Sequence, residues 1–304
     1  MDGEKIVARE ENCRVLISCA DGRGIVAAVS GLIARLGGNI LDADQHTELG
    51  GADGGGDLFF MRVVAQTEPG GRETLAAGFD ELAQRLSMRI EMHWGDRPER
   101  VVILAGKETH CLSDLLWRYG QGELACEVVG VISNHDAGRA MCSVSGLGGS
   151  ERAGGVPFEV LPVLEGEREA QERALGDRLE AMEPDLVVLA RYMRVLPEWL
   201  VQRYAGRMIN IHHGFLPAFA GARPYHQAHA RGVKLIGATS HYVTAELDQG
   251  PIIAQDTRHV SHRDGVDSLV RLGRDLERMV LAKAVRQHLE RRVLVVGRRT
   301  VVFE

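Results

Sequence analysis

The sequence predicts an α/β chain in two parts: a small α+β domain, then a larger α/β domain built on a mostly parallel sheet. Three observations carry this. The length of 304 residues exceeds that of one ordinary domain, roughly 100–200 residues. The composition, 45% hydrophobic and 26% charged, is that of globular material able to bury a core. The rhythm of strand and helix signals changes after Gly95-Asp96-Arg97-Pro98-Glu99-Arg100, a charged, proline-containing stretch that reads as a linker.

Taken in order, residues 14–19 alternate as a strand, 21–24 form a turn, and 25–36 carry the apolar spacing of a helix. A strand over 40–47, a glycine-rich loop over 50–56, a strand over 58–64, a helix over 73–86 and a last strand over 88–94 complete a βαββαβ pattern. The expected domains are therefore 1–95 and 101–304, joined by 96–100. In the second, 101–105, 124–132, 186–190 and 208–212 read as strands, with helices over 109–119 and 166–182. The apolar density at 131–132 and 187–189 suits a parallel sheet covered on both faces. A helix over 264–288 carries Val266, Leu269, Val270, Leu276, Val280 and Ala284 along one side, which reads as packing.

Charge and cysteine usage exclude several functions. A net charge of -6 and a pI near 6.1 argue against tracking nucleic-acid phosphates. No window reaches the ~18 apolar residues of a membrane span, and the first residues lack a signal peptide's apolar stretch, so the expectation is a cytoplasmic protein without a membrane partner. Cys13, Cys19, Cys111, Cys126 and Cys142 are too few and irregular for a disulfide framework, and no CxxC pair suggests zinc. Cys111 beside His110 is no thiol–imidazole pair, because adjacent helix residues do not face one another.

Open α/β sheets bind ligands beyond the C-terminal ends of their strands. Three predicted strand ends are polar: Ser133-Asn134-His135-Asp136, Arg191-Tyr192-Met193-Arg194, and Asn210 and His212 running into His213-Gly214. Asn210 and His212 are two apart, so both side chains share one face. The amide can donate to a developing oxyanion, and the imidazole can carry a proton near neutrality. A carboxylate is supplied by Asp248, in a turn before Gly250-Pro251, where it would raise the basicity of His212 and orient a water. By spacing alone, Asn210 and Asp248 also suit loop-capping roles.

The ordered set Asn210-Ile211-His212-His213, Leu216-Pro217-Ala218-Phe219, Gly232-Val233-Lys234, Gly237-Ala238-Thr239-Ser240-His241-Tyr242-Val243 and Asp248-Gln249-Gly250-Pro251-Ile252-Ile253 resembles the formyltetrahydrofolate deformylases. These belong to the folate-dependent formyltransferase group, with glycinamide ribonucleotide formyltransferase and the N-terminal domain of methionyl-tRNA formyltransferase. In the first domain, Ser18-Cys19-Ala20-Asp21, Gly24-Ile25-Val26, Gly38-Asn39-Ile40 and Ala43-Asp44-Gln45-His46-Thr47 are similar to an ACT regulatory domain. The resemblance implies a ferredoxin-like ACT domain before a Rossmann-like formyltransferase domain. The implied reaction is hydrolysis of 10-formyltetrahydrofolate to tetrahydrofolate and formate, which supplies purine biosynthesis and balances the one-carbon pool. It implies no metal and no cofactor beyond the folate substrate.

The resemblance also assigns residues. Asn210, His212 and Asp248 match the catalytic set. Met193, Arg194, Val195 and Leu196 match the folate-cradling backbone, and His241, Tyr242, Val243, Thr244, Glu246 and Leu247 the pterin side. Asp21, Gly24, Ile25, Asn39 and Ile40 match an effector site for glycine or methionine at the boundary of a homo-oligomer, dimeric or tetrameric. Gly106-Lys107-Glu108-Thr109-His110 replaces the Gly-Ser-Asn phosphate loop of the ribonucleotide enzyme and places an acid where a phosphate would sit. Two departures stand out. Gly214 replaces a serine, which would loosen the loop beside the site, and Asp21-Gly22-Arg23-Gly24 replaces Asp-Arg-Pro-Gly.

His135, His213, His226 and His241 are near the motifs and suit structural roles or direct contact with ligand or water. Arg223 and Lys234 suit solvated surface charges or partners for a glutamate tail. Three rival readings remain at this level. One is a formyltransferase using Lys107 and Arg139 for an anionic acceptor, and another a non-catalytic folate-responsive protein. The third, a dinucleotide oxidoreductase, lacks a GxGxxG turn.

Overall fold

The computed structural model describes residues 11–50, 56–143, 155–163, 166–217 and 224–304. Ala218, Phe219, Arg223 and most of the 50–56 loop lie outside them. The chain divides into two units, Met1–Arg97 with Phe303–Glu304, and Pro98–Val302.

The first unit contains β1 (Glu11–Ala20), α1 (Ile25–Arg35), β2 (Asn39–Glu48), β3 (Leu58–Thr67), α2 (Arg72–Leu86) and β4 (Arg89–Trp94). Its sheet runs β2-β3-β1-β4 with antiparallel neighbours. Alternate residues of β1, Cys13, Val15, Ile17 and Cys19, join Val29, Leu32, Ile33, Leu75, Phe79 and Leu82 in one core, as a period of two requires. Gly24 caps α1 without a side-chain hydrogen bond. The register corrects one expectation. Ala20 of β1 and Glu48 of β2 both pair with Leu58, whereas Asn39 pairs with Gln66 at the far end of β3. β1 and β2 point the same way, so the Asp21–Ile25 turn and Asn39-Ile40 lie at opposite ends of one sheet, about 30 Å of strand apart. One copy therefore does not bring the expected effector residues together.

The second unit contains β5 (Glu99–Ala105), α3 (His110–Gly120), β6 (Cys126–Ser133), α4 (Arg139–Cys142), β7 (Phe158–Val160), α5 (Arg168–Met182), β8 (Leu186–Ala190), α6 (Glu198–Arg203) and β9 (Met208–His212). α7 (Pro224–Arg231), β10 (Leu235–Tyr242), β11 (Ile252–His259), α8 (Val266–Leu289) and the hairpin β12 (Val293–Val296) and β13 (Arg299–Val302) follow. Its seven-stranded sheet has the order β11-β10-β9-β8-β5-β6-β7. Pairing is parallel from β9 to β7 and antiparallel at β9–β10 and β10–β11.

Both faces of this sheet are covered. Val101, Ile103 and Ala105 turn to the side of α3 and α8, and Val102 and Leu104 to the side of α5. β5 starts at Glu99, inside the stretch expected as a linker. The Arg100 backbone N–H donates to Asp185 Oδ2 at 2.8 Å and its carbonyl accepts from the Asp185 N–H at 2.8 Å, which extends the ladder into the charged residues. Among the described residues, no helix is long and apolar enough to cross a membrane.

Candidate active site

β9 and β10 build the centre of the site by their register. Asn210 of β9 lies opposite His241 of β10, and the Asn210 amide nitrogen is 3.3 Å from His241 Nε2. His241 Nδ1 lies 2.9 Å from the Tyr242 carbonyl, which can only accept, so Nδ1 carries the hydrogen and Nε2 receives the amide N–H. His212 ends β9 on the same face as Asn210, and its side chain is 6% exposed. Its Nδ1 is 3.2 Å from Asp248 Oδ2, while Asp248 Oδ1 is 3.7 Å from His241 Nε2. Asp248 stands between two histidines, and the expected three catalytic residues come together in space.

Asp248 reaches this place through unusual backbone. Its φ is 56°, a left-handed conformation that aspartate tolerates better than most side chains. Arg191, just after β8, has φ 60°. Of the five described non-glycine residues with positive φ, these two line the cavity, whereas Ser87 and Glu183 only cap helices. Two glycines are required by close approach. A Cβ at Gly250 would lie 1.7 Å from the Tyr242 carbonyl, and one at Gly106 would lie 2.1 Å from the Arg191 carbonyl. The first approach packs the Asp248 turn onto β10, and the second seats the strand end that carries Arg191.

Electrostatics follow from the contacts. The His212 N–H beside Asp248 holds the Asp248 carboxyl well below its ordinary 3.8. With Nδ1–H directed at that carboxylate, His212 Nε2 is the nitrogen left for chemistry. It is buried and without a hydrogen-bond partner among the described residues. His213 is pushed down from 6.5 to about 4, first by burial and then by the Arg191 cation.

These groups line a cavity of about 390 Å³. Residues 191–196 form one wall, Val243, Thr244, Ala245, Leu247 and Asp248 another, and Leu216 and Pro217 contribute from the loop after β9. Met193, Val195 and Leu247 are 64%, 56% and 65% exposed, an apolar rim suited to a flat ligand. Arg194 lines the same cavity and makes no ion pair with the described residues, leaving a cation for an anionic tail.

Several expected contacts fall elsewhere. Tyr242 is 4% exposed and turns to the opposite face of β10, where its hydroxyl meets His288 Nδ1 at 2.7 Å. The reason is the two-residue period that sends His241 to the cavity and its neighbour away. Glu246 is exposed and does not line the cavity, its carbonyl accepting from the Thr244 hydroxyl at 3.1 Å. Ser133-Asn134-His135-Asp136 do not line it either, because β6 is two positions from β8 across β5. His226 and Lys234 are exposed and outside it.

A second polar cluster, not anticipated, lies behind the site. Glu277 of α8 is 1% exposed and accepts from the Tyr225 hydroxyl at 2.6 Å and from His110 Nε2 at 2.8 Å, with Arg191 Nε at 3.3 Å. The available signal was a glutamate seven residues from Val270 and from Ala284, on the apolar stripe of a helix. His110, Cys111 and Glu277 have the spacing of metal ligands. The Arg191 cation already faces that carboxylate, and burial followed by Glu277 pushes the Cys111 thiol well above its ordinary value, which disfavours thiolate ligation.

Glu108 pairs with Arg274, Arg139 pairs with Asp136 and stacks over Phe158, and neither Lys107 nor Arg139 lines the cavity. The loop beside the site is also firm despite Gly214. Buried Thr239 donates through its hydroxyl to the Gly214 carbonyl at 2.9 Å and accepts from the Leu216 N–H at 3.0 Å, with Gln255 bonded to both Thr239 and Leu216.

Comparison with known proteins places both parts of the chain in known families. The formyl transferase family model matches residues 99–285, and the ACT domain model matches residues 14–73. A formyltetrahydrofolate deformylase of Synechocystis is 46% identical over 95% of this chain and 97% of its own, and one of Bacillus subtilis is 43% identical over 97% and 94%. The crystal structure of a formyltetrahydrofolate deformylase from Pseudomonas syringae superposes with a TM-score of 0.87 at 43% identity, covering 98% of this chain and 96% of that one. A glycinamide ribonucleotide transformylase from Symbiobacterium toebii gives 0.62 at 32% identity, with 70% of this chain covering 97% of that one.

Proposed function

The chain belongs to the formyltetrahydrofolate deformylase family, and from that premise we infer that Asn210, His212 and Asp248 carry the hydrolysis of 10-formyltetrahydrofolate to tetrahydrofolate and formate. The observation that carries the residue assignment is the buried His212 Nε2, without a hydrogen-bond partner among the described residues while Nδ1 is directed at Asp248. Water attacks the formyl carbon and gives one proton to His212 Nε2. The carbonyl electrons move to oxygen, where an Asn210 amide N–H stabilises them. Such a donor contributes about 3 kcal/mol to a transition state. As the intermediate collapses, the C–N10 bond breaks and His212 returns its proton to N10. Asp248 orients His212 and stabilises the imidazolium, a modification of the water-holding role expected from sequence, because the carboxylate already faces two imidazoles. The folate is the only cofactor-like molecule required.

The folate ring system would lie between residues 193–196 and Val243, Thr244 and Leu247, with His241 beneath it and Arg194 toward the glutamate tail. In the first unit, an ACT domain points to a small-molecule regulator and to assembly in general. The finer reading is a dimer or tetramer whose effector, glycine or methionine, is bound by Asp21, Gly24 and Ile25 of one copy with Asn39 and Ile40 of another. The exposed edge strand β2 supports this: antiparallel pairing of two such edges brings the start of one β2 to the end of the other. The proposed setting is the cytoplasm, with 1–95 regulatory and 101–304 catalytic.

Incubation of the full chain with 10-formyltetrahydrofolate alone tests the reaction. Formate and tetrahydrofolate are expected in equal amounts, and formyl transfer to an added amine with no free formate would defeat the reading.

A further inference from the structure

His213 is unused by that mechanism, yet it lines the same cavity. Its ring centroid is 5.4 Å from that of His212, tilted by 40°, and 6.3 Å from that of Tyr225 on the other side. The Tyr225 hydroxyl is directed at Glu277, and among the described residues nothing hydrogen-bonds the His213 ring. The backbone that follows it is pinned at Gly214 and Leu216 by buried Thr239. A half-buried imidazole with no hydrogen-bond partner among the described residues, beside the reacting histidine, is suited to a small polar molecule that bridges the edges of the two rings.

We propose that His213 is a further catalytic residue of this reaction: a ring nitrogen accepts a hydrogen bond from the attacking water and aims it at the formyl carbon, making water the nucleophile the site selects. The proposal rests on the hydrolase reading above. A water donating to two acceptors at about 2.8 Å spans about 4.5 Å between them, a separation that two imidazoles with centroids 5.4 Å apart can present. One water hydrogen is then directed at His212 Nε2 and the other at His213, which leaves an oxygen lone pair for the carbon.

The groups facing His213 keep that acceptor available. Burial and Arg191 disfavour its protonation, outweighing Glu277 and Asp248, while His212 adds to the depression. An imidazolium would have no lone pair to offer. In the balanced step, the first water proton passes through His212 to N10 as the C–N10 bond breaks. The second remains on the new oxygen as formic acid forms, and goes to solvent as formate ionises.

The test compares water with a nucleophile that needs no aiming. His213→Leu, His213→Gln and wild-type full chains are assayed for formate release and, with added hydroxylamine, for formyl hydroxamate. His213→Leu is expected to lower kcat for formate release about 100-fold with KM changed less than about threefold, while hydroxamate formation falls less than about fivefold. His213→Gln, which retains an acceptor, is expected to recover at least a tenth of the wild-type kcat, on the order of the rescue an acceptor allows. Equal loss of both reactions in His213→Leu would make the residue merely structural and overturn the proposal, as would unchanged formate release. A wild-type protein that releases no formate would instead overturn the hydrolase reading itself.

Discussion

In the second unit two carboxylates, Asp248 and Glu277, each face two polar rings, and their surroundings set them apart. Asp248 is 18% exposed, sits on a left-handed turn at the cavity wall, and orients an imidazole whose far nitrogen is unpartnered. Glu277 is 1% exposed within the 24-residue α8, and its partners Tyr225, His110 and Arg191 close around it. An ionised acid surrounded by donors is a structural tie. The same acid with one partner turned toward a cavity has the arrangement that the proposed proton transfer uses.

The largest expected effect breaks the first cluster. Asp248→Asn should lower kcat about 10³- to 10⁴-fold with KM and melting temperature little changed, since asparagine accepts the left-handed conformation but cannot stabilise the imidazolium. Steady-state kinetics and thermal melting check this, and wild-type turnover would remove Asp248 from the mechanism. Breaking the second cluster should do the converse. Glu277→Ala leaves Arg191 without its countercharge and should lose about 3–5 kcal/mol of stability in urea unfolding, the cost of breaking a buried pair. A variant with unchanged midpoint but abolished turnover would erase the distinction between the two acids.

Acid titration sharpens the comparison next. The folded pKa of His213, about 4, lies below its ordinary 6.5, so the folded state binds fewer protons than the unfolded chain between those values. Its contribution is therefore fully present above 6.5 and is lost as pH falls toward 4, by about 3 kcal/mol. His213→Leu should flatten the stability profile in that window, whereas Asp248, held below 3.8, should contribute nothing to it. A profile unaltered by the substitution would place the acid sensitivity elsewhere. The smallest effect is expected at Arg194, which belongs to neither cluster. Arg194→Ala should raise KM about threefold for a polyglutamylated folate, less for the monoglutamate, and leave kcat alone, as befits a solvent-screened charge. Equal KM changes for both would detach Arg194 from the tail.

Much of this molecule is legible along the chain. The bounds of β8 and β9 match the strands read from the sequence, and two-residue spacing alone puts Asn210 and His212 on one face. The same period, applied to His241 and Tyr242, would have sent Tyr242 away from the cavity. It was obscured because motif resemblance treats a run of residues as a unit, whereas a strand alternates them. α6, α7 and β7 are too short for periodicity to reveal.

Local order therefore determined what depends on neighbours in the chain: the two-part α/β plan, the apolar faces, the shared face of Asn210 and His212, and the family motifs. Tertiary structure decided what depends on residues distant in sequence. The β9–β10 register set His241 against Asn210, and packing of Gly250 on Tyr242 brought Asp248 to His212. The approach of α3, α7 and α8 gathered His110, Tyr225 and Glu277 around Arg191, while β2 running the same way as β1 parted Asn39 from Asp21. Periodicity records which way a side chain points but not what it meets, because the partner is chosen by strand register and helix docking over tens of residues.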